Sequence, residues 1–271
     1  MNRKRKKRML LFAFLLLTIP FFYSQNNWLT LTNIEVKSPQ LPAEFDGFRI
    51  IQLSDLHSKR FGQEQQKIAK KVKEQRPDVI FYTGDLIDRR KNDEEAGYRL
   101  MEEMVAIAPV YFVTGNHEWQ VFKEKETKLR EIGVKVLRNE QVSLEQDGVE
   151  IGLIGIDDPL MTETGEAFEQ AGSVTAPYTI LLSHRPEYFV QYANAGMDLV
   201  FTGHAHGGQI RIPFVGGLFA PGQGFFPEST SGAHAMDSTT MIVNRGLGNS
   251  MAPQRIFNRP EIMVVELKSS K

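Results

Sequence analysis

Phe48-Arg49-Ile50-Ile51-Gln52-Leu53-Ser54-Asp55-Leu56-His57 is the stretch on which the fold turns. A short apolar run of this kind fills a sheet covered on both faces. It stops abruptly in polar residues, two of which, Asp55 and His57, can bind a metal. The same pattern recurs along the chain. Phe81-Tyr82-Thr83 leads into Gly84-Asp85, and Phe112-Val113-Thr114 into Gly115-Asn116-His117. Leu181-Leu182-Ser183 leads into His184, and Val200-Phe201-Thr202 into Gly203-His204-Ala205-His206. Parallel strands of a packed sheet end on a common edge, where such folds place their ligands. These residues are therefore expected to converge although about 150 positions separate them.

Outward from these runs, Val79 to Thr83, Val110 to Thr114, Ile151 to Ile156, Thr179 to Ser183, Leu199 to Thr202, Met241 to Asn244 and Ile262 to Leu267 read as strands. Leu31 to Val36 reads as an edge strand. Gln63 to Gln75 and the stretch from Asp93 carry apolar residues at helical spacing, and a third helix is expected from Glu118. Gly216 to Gly232 reads as a long loop rich in Gly, Pro and Ser. The chain is α/β, with too many strands for one doubly wound sheet, so two stacked sheets flanked by helices are expected.

A single Asp or Asn after a strand is ordinarily a turn former or helix cap, and a single His a structural hydrogen-bonder. The set reads differently. Five of the six histidines lie in these strand-end segments, and only His234 stands elsewhere. Glycine precedes Asp85, Asn116 and His204, as required where backbone turns sharply or approaches a ligand closely. Asp55, His57, Asp85, Asn116, His117, His184, His204 and His206 are too many for one tetrahedral ion, whereas two adjacent ions need about seven ligands and a bridging carboxylate. Imidazole, carboxylate and amide oxygen suit manganese, iron or zinc. Such a pair binds phosphoryl oxygens, lowers the pKa of a bridging water and offsets charge in the transition state of displacement at phosphorus.

Other chemistries find no footing. The chain has no cysteine, so disulfides, thiolate metal sites and cysteine nucleophiles are excluded. Gly-x-Ser-x-Gly, His-Glu-x-x-His, P-loop and dinucleotide patterns are absent. The formal charge of -1 hides an asymmetry: Arg3, Lys4, Arg5, Lys6, Lys7 and Arg8 precede every acidic residue, and the rest holds 26 basic against 33 acidic residues. A body with that balance is a poor partner for nucleic acid.

Met9 to Tyr23 follows the basic cluster as a fifteen-residue apolar run. As a helix it spans roughly 22 Å, short of the ~30 Å hydrocarbon core, and Trp28 extends it toward a span. The expectation is residues 1–29 as basic leader and single-pass membrane anchor, and residues 30–271 as the catalytic domain outside the cytoplasm. A secreted protein released by signal cleavage is the first alternative and a buried core helix the second. No small-x-small cleavage site follows the run. Residues Ser24 to Thr30 would then tether the domain close to lipid.

Together, Asp55-Leu56-His57, Gly84-Asp85, Gly115-Asn116-His117-Glu118, His184 and Gly203-His204-Ala205-His206 resemble the calcineurin-like metallophosphoesterase superfamily, from about residue 48 to about 245. Gly203 to Gln209 behind a basic and apolar leader resembles its membrane-anchored bacterial branch, some members of which are linked with hydrolysis of UDP-2,3-diacylglucosamine at its pyrophosphate. The resemblance implies a four-layer α-β-β-α sandwich of two mixed sheets. It implies that Asp55, His57 and His206 bind one divalent metal ion and Asn116, His184 and His204 the other, with Asp85 bridging. His117 would be the general acid, oriented by a neighbouring carboxylate. Arg89 resembles a phosphate-contacting arginine of the protein phosphatases; an ordinary surface arginine is the competing reading. The expected activity is hydrolysis of a phosphodiester or pyrophosphate bond in an envelope-borne or lipid-linked substrate. A broad phosphomonoesterase and a non-catalytic phosphate-binding scaffold are the alternatives. Phe214, Leu218, Phe219, Phe225 and Phe226, after the His204/His206 pair, are expected near the mouth of the site, against lipid or packed into the domain.

Overall fold

The computed structural model describes residues 3–91, 93–119, 121–172, 176–250 and 252–270, without the side chains of residues 8, 10, 11 and 13. Helix α1 (Arg3–Asn27) precedes β1 (Thr30–Ser38), β2 (Arg49–Leu53), α2 (Gln66–Gln75), β3 (Val79–Thr83), α3 (Glu95–Val105), β4 (Val110–Val113) and α4 (Phe122–Ile132). Then come β5 (Lys135–Val136), β6 (Glu140–Gln146), β7 (Val149–Gly155), α5 (Thr164–Ala171), β8 (Thr179–Leu182), α6 (Phe189–Asn194) and β9 (Leu199–Thr202). The strands β10 (Gly232–Met236), β11 (Thr239–Val243) and β12 (Glu261–Ser269) complete the two main sheets.

One six-stranded sheet runs β1-β12-β2-β3-β4-β5 and the other β10-β11-β9-β8-β7-β6. Both are mixed. In the first, β2, β3, β4 and β5 are parallel while β12 pairs antiparallel with β2. In the second, β7, β8, β9 and β11 are parallel and flanked by antiparallel β6 and β10.

Alternation along the apolar runs builds three cores. Ile50, Phe81, Tyr111 and Val113 face Leu153, Leu182, Phe201 and Ile242 between the sheets. Their sequence neighbours Ile51, Leu53, Ile80, Tyr82 and Phe112 point the other way and pack with Ile68, Val72, Leu100 and Met104 of α2 and α3. Ile154, Leu181 and Val200 pack with Ala167 of α5 and with Phe189 and Tyr192 of α6. The layers are helix, sheet, sheet, helix. Runs apolar on both faces were required because both faces are covered.

Gln52 is a fully buried polar residue within the apolar β2 run. Its Nε2 donates to Oγ1 of Thr83 at 3.0 Å and to the carbonyl of Thr202 at 2.9 Å, so it ties the ends of the two sheets together where the polar residues gather.

Three expectations need correction. The third helix begins at Phe122, because the carboxylate of Glu118 is engaged with backbone N–H groups elsewhere. The stretch from Gly216 to Gly232 contains short ladders, Phe219–Ala220 pairing with Gly224–Phe225. The expected tether from Ser24 is largely helical: α1 continues to Asn27, with Ser24 and Gln25 buried against the body. Helix α1 occupies the segment expected to insert in a membrane, but among the described residues no helix is long and apolar enough to cross one.

Candidate active site

The strand ends place their polar residues on sharply turned backbone. Asp55 (φ 53°), His57 (49°), Asp85 (55°), His204 (61°) and His206 (48°) all adopt the left-handed conformation. For a residue with a Cβ this costs on the order of 1–2 kcal/mol each. Five of the sixteen non-glycine residues with positive φ among the described residues gather here, and such strain is often found at functional sites. Glycines provide the room. A Cβ on Gly84 (φ 88°) would stand 2.6 Å from Nδ1 of His184, and one on Gly203 would collide with Oδ2 of Asp55.

All seven expected ligand positions converge at the junction of the two sheets. Asp55, His57, Asp85 and His206 form one buried group, and Asp85, His184 and His204 a second. Asp85 belongs to both. Its Oδ2 lies 3.5 Å from Nε2 of His57 and 3.4 Å from Nε2 of His184. Each aspartate uses its other oxygen on backbone: Oδ1 of Asp85 accepts from the N–H of His117 at 2.8 Å, and Oδ2 of Asp55 from that of His204 at 3.1 Å. Nε2 of His57 and Nε2 of His206 are 3.0 Å apart, and Nε2 of His184 is 3.1 Å from Nδ1 of His204. Nitrogens sharing a tetrahedral ion at ~2.0–2.1 Å stand about 3.3 Å from one another, so both spacings fit a shared cation. Oδ1 of Asp55 and Oδ1 of Asn116 are buried without a hydrogen-bond partner. Orphaned oxygens of this kind are what a metal ion satisfies.

Electrostatics point the same way. Burial disfavours charge throughout the cluster. Against burial, His206, His57 and His184 hold the Asp55 carboxyl well below the usual range, and His184 and His57 do the same for Asp85. Burial opposes charge on His184, but Asp85, by charge and hydrogen bond, with Asp55 and Asp158 pushes it up to about 10. Burial, aided by the charges on His57 and Arg255, takes His206 down to about 3. Burial and His184 also lower His204. Two buried anions thus retain one proton on His184, while His204 and His206 stay neutral, as cation ligands must be. Nδ1 of His184 donates to the carbonyl of Thr83 at 2.7 Å, which directs Nε2 toward Asp85.

His117 stands apart. Its ring meets that of His57 edge-on with centroids 4.5 Å apart, and burial lowers its pKa. The N–H of Arg89 donates to Nδ1 of His117 at 3.2 Å, which leaves the hydrogen of the neutral ring on Nε2. The neighbouring carboxylate is Asp88, 3.4 Å from the same Nδ1. Asp88 is also paired with Arg90 and Lys91. Arg89 lines the mouth of the site, a cavity of about 180 Å³ shared with Asp85, Asn116, His117, His204, His206, Arg90, Ser250 and Pro221. Its side chain is exposed, so it is both a surface residue and within the site.

Sequence reasoning missed the residues that support this arrangement. The Glu118 carboxylate accepts from the N–H groups of Asp85, Leu86 and Gly115 at 2.7–2.9 Å and holds two ligand loops together. Glu187 places Oε1 3.8 Å from Nε2 of His204, a nitrogen with no other partner. Arg255, fully buried, donates to the carbonyls of Arg245 and Asn258 behind His206. Glu118 stood in the quoted motif, but nothing in sequence spacing marks Glu187 or Arg255.

Comparison with known proteins agrees with this geometry. The family pattern described as calcineurin-like phosphoesterase matches residues 48–208. The chain is 32% identical over 258 residues to the uncharacterized metallophosphoesterase YkuE of Bacillus subtilis, covering 92% of this chain and 88% of that one. It is 30% identical over 229 residues to the phosphodiesterase YaeI of Escherichia coli, covering 81% and 82%. Among solved structures, the NAD nucleotidase of Haemophilus influenzae superposes on 74% of the chain with a TM-score of 0.50 at 17% identity. The sulfate thiohydrolase SoxB of Thermus thermophilus covers 84% with a TM-score of 0.51 at 12% identity. The chain spans 45% and 57% of those two proteins, and the likeness is one of fold. A pattern matched over more than half its length, on the residues that gather at the sheet junction, places this chain in the calcineurin-like phosphoesterase family and makes it a metallophosphoesterase.

Proposed function

We propose that the chain is a phosphodiesterase that works with two divalent cations, manganese, iron or zinc, and acts on a phosphodiester or pyrophosphate at a membrane surface. Asp55, His57 and His206 would hold one ion and Asn116, His184 and His204 the other. The observation that carries this reading is the single oxygen of Asp85 set between His57 and His184. Bound there, the ions would supply charge to the phosphoryl oxygens and an activated water. His117 would act as an imidazolium, giving the Nε2 proton to the leaving oxygen and returning to the neutral ring, with its Nδ1 side toward Asp88. Arg89 and Arg90 at the mouth would attract the phosphate. That one relative carries the name phosphodiesterase supports the diester reading over the monoester one.

The membrane part rests on surface. In α1, Phe12, Phe14, Leu16, Leu17 and Ile19 are each at least 60% exposed, more contiguous apolar surface than a soluble helix leaves bare. The foot of α1 is fastened to the body: Asn26 bonds the carbonyl of Pro253 and the N–H of Arg255, and the rings of Phe21 and Phe257 meet at 5.5 Å. Phe257 shares a hollow with Phe214 and Val215, all exposed. The same loop sends Pro221 to the mouth of the site. Phe225 and Phe226 are also exposed, whereas Phe219 packs against Phe225. On this reading residues 1–29 anchor the domain 30–271 at the membrane with the site near the lipid surface.

A panel of phosphomonoesters, diesters and nucleotide-linked pyrophosphates, free and lipid-linked, tested on metal-loaded full-length protein decides the matter. Faster turnover of diesters or pyrophosphates, with the lipid-linked form outcompeting its soluble head group, is expected. Preference for monoesters would overturn the diesterase reading. Equal turnover of lipid-linked and soluble forms would overturn the membrane substrate.

A further inference from the structure

At the foot of α1, on the side of α2, lies a second hollow of about 510 Å³, away from the catalytic cluster. Lys67, Lys70, Lys71 and Glu74 line it from α2. Their spacing of three, four and seven residues puts them on one helix face, while Ile68 and Val72 on the other face are buried. Trp28 and Arg259 close the opposite wall, with the Arg259 guanidinium 5.1 Å above the indole ring. Among the described residues, none of Lys67, Lys70, Lys71 and Arg259 has a carboxylate within ion-pair distance, although the body of the chain is acidic overall. Four cations against Glu74 alone, gathered in one concave place, would attract an external anion.

We infer that this hollow binds the phosphate head group of an anionic phospholipid, a reading that rests on the membrane placement of α1 but not on the catalytic assignment. The neighbouring surface selects this occupant. Asn27 and Trp28 end the helix whose exposed Phe12, Leu16 and Leu17 would lie among acyl chains, so a lipid beside α1 would set its head group at the level of Trp28. Trp28, 56% exposed, is the residue type enriched at that level. Lysines near a membrane surface each favour an anionic lipid roughly fivefold. A nucleic acid or an acidic protein would use the cations but leave the apolar helix unexplained.

Trp28 itself reports the occupant, because Trp119 is the one other tryptophan. Full-length Trp119→Phe protein is placed in phosphatidylcholine vesicles containing equal fractions of phosphatidylglycerol or phosphatidylcholine with brominated acyl chains, which quench a nearby indole. Brominated phosphatidylglycerol should quench Trp28 at least about threefold more steeply. In Lys67→Gln/Lys70→Gln/Lys71→Gln/Arg259→Gln the two lipids should quench alike, with hydrolysis of a soluble diester unchanged as proof of folding. Equal quenching before substitution, or a preference that survives it, would overturn the head-group site and leave the membrane reading intact. Quenching by neither lipid would overturn both, leaving the metallophosphoesterase assignment untouched.

Discussion

Asp85 and His184 form a buried ion pair across the junction of the two sheets, Oδ2 to Nε2 at 3.4 Å. The partnership lifts His184 to about 10, so in the metal-free protein its proton stands where a cation is expected. A histidine whose folded pKa is raised contributes stability fully below about pH 6.5 and loses it as pH rises through about 10. Metal must displace this proton. Apparent metal affinity is therefore expected to rise roughly tenfold per pH unit between pH 7 and 9, with about one proton released per protein. Calorimetry in buffers of different ionisation enthalpy measures that release. An affinity flat across this range would contradict the pairing.

His117 should matter for chemistry and not for assembly. His117→Ala is expected to retain both ions while losing about 10²–10⁴-fold in rate on an alkoxide leaving group. The loss should shrink on p-nitrophenolate, which departs without a proton. Equal losses on the two substrates would make His117 a ligand or a structural residue.

Glu187 faces the nitrogen of His204 that points away from His184. Carboxylates behind ligating histidines typically contribute 10–100-fold in metal affinity. Glu187→Ala should weaken one of the two ions by that factor and leave the other unchanged, as read by titrating metal into metal-free protein. Identical affinities at both sites would show that Glu187 does not act through His204.

Asp88 gives a stability test with a defined sign. Burial opposes its charge, but hydrogen bonds from the Arg90 side chain and backbone, with the charge on His57, outweigh burial and hold its carboxyl well below the usual range. A depressed folded pKa contributes stability that is full above the unfolded value near 3.9 and is lost as pH falls through the folded one. Asp88→Asn should cost roughly 1.5–3 kcal/mol at pH 7, and the gap should narrow only below about pH 4. Denaturant midpoints at pH 7, 5 and 3 check it; a gap closing between pH 7 and 5 would contradict this pairing.

The catalytic cluster was legible because strand ends and metal ligands coincide in this chain. The run that ends in Asp55 and His57 shows both the buried strand and the residues its turn must present. The chain also holds too few histidines elsewhere to obscure the pattern. The two-sheet arrangement was legible from apolar runs such as Val79 to Thr83, buried on both faces. The supporting residues were not. Arg255 acts by filling the space behind His206 with donors for carbonyls that sequence does not place, and Glu187 reaches His204 across seventeen positions. Glu118 was misread as a helix start, because a carboxylate near a helix N-terminus and one binding loop N–H groups look alike in sequence. The α1 segment kept its helix but not a full span: fifteen apolar residues make about 22 Å.

The central claim is that one carboxylate unites two metal sites, and metal stoichiometry tests it most directly. Wild-type protein loaded with manganese and freed of excess should contain two ions per chain and hydrolyse bis(p-nitrophenyl) phosphate. Asp85→Ala should lose most of both ions and nearly all of the hydrolysis together, because each group loses its shared charged ligand. Two ions still bound to Asp85→Ala, or a single ion in active wild-type protein, would contradict the account.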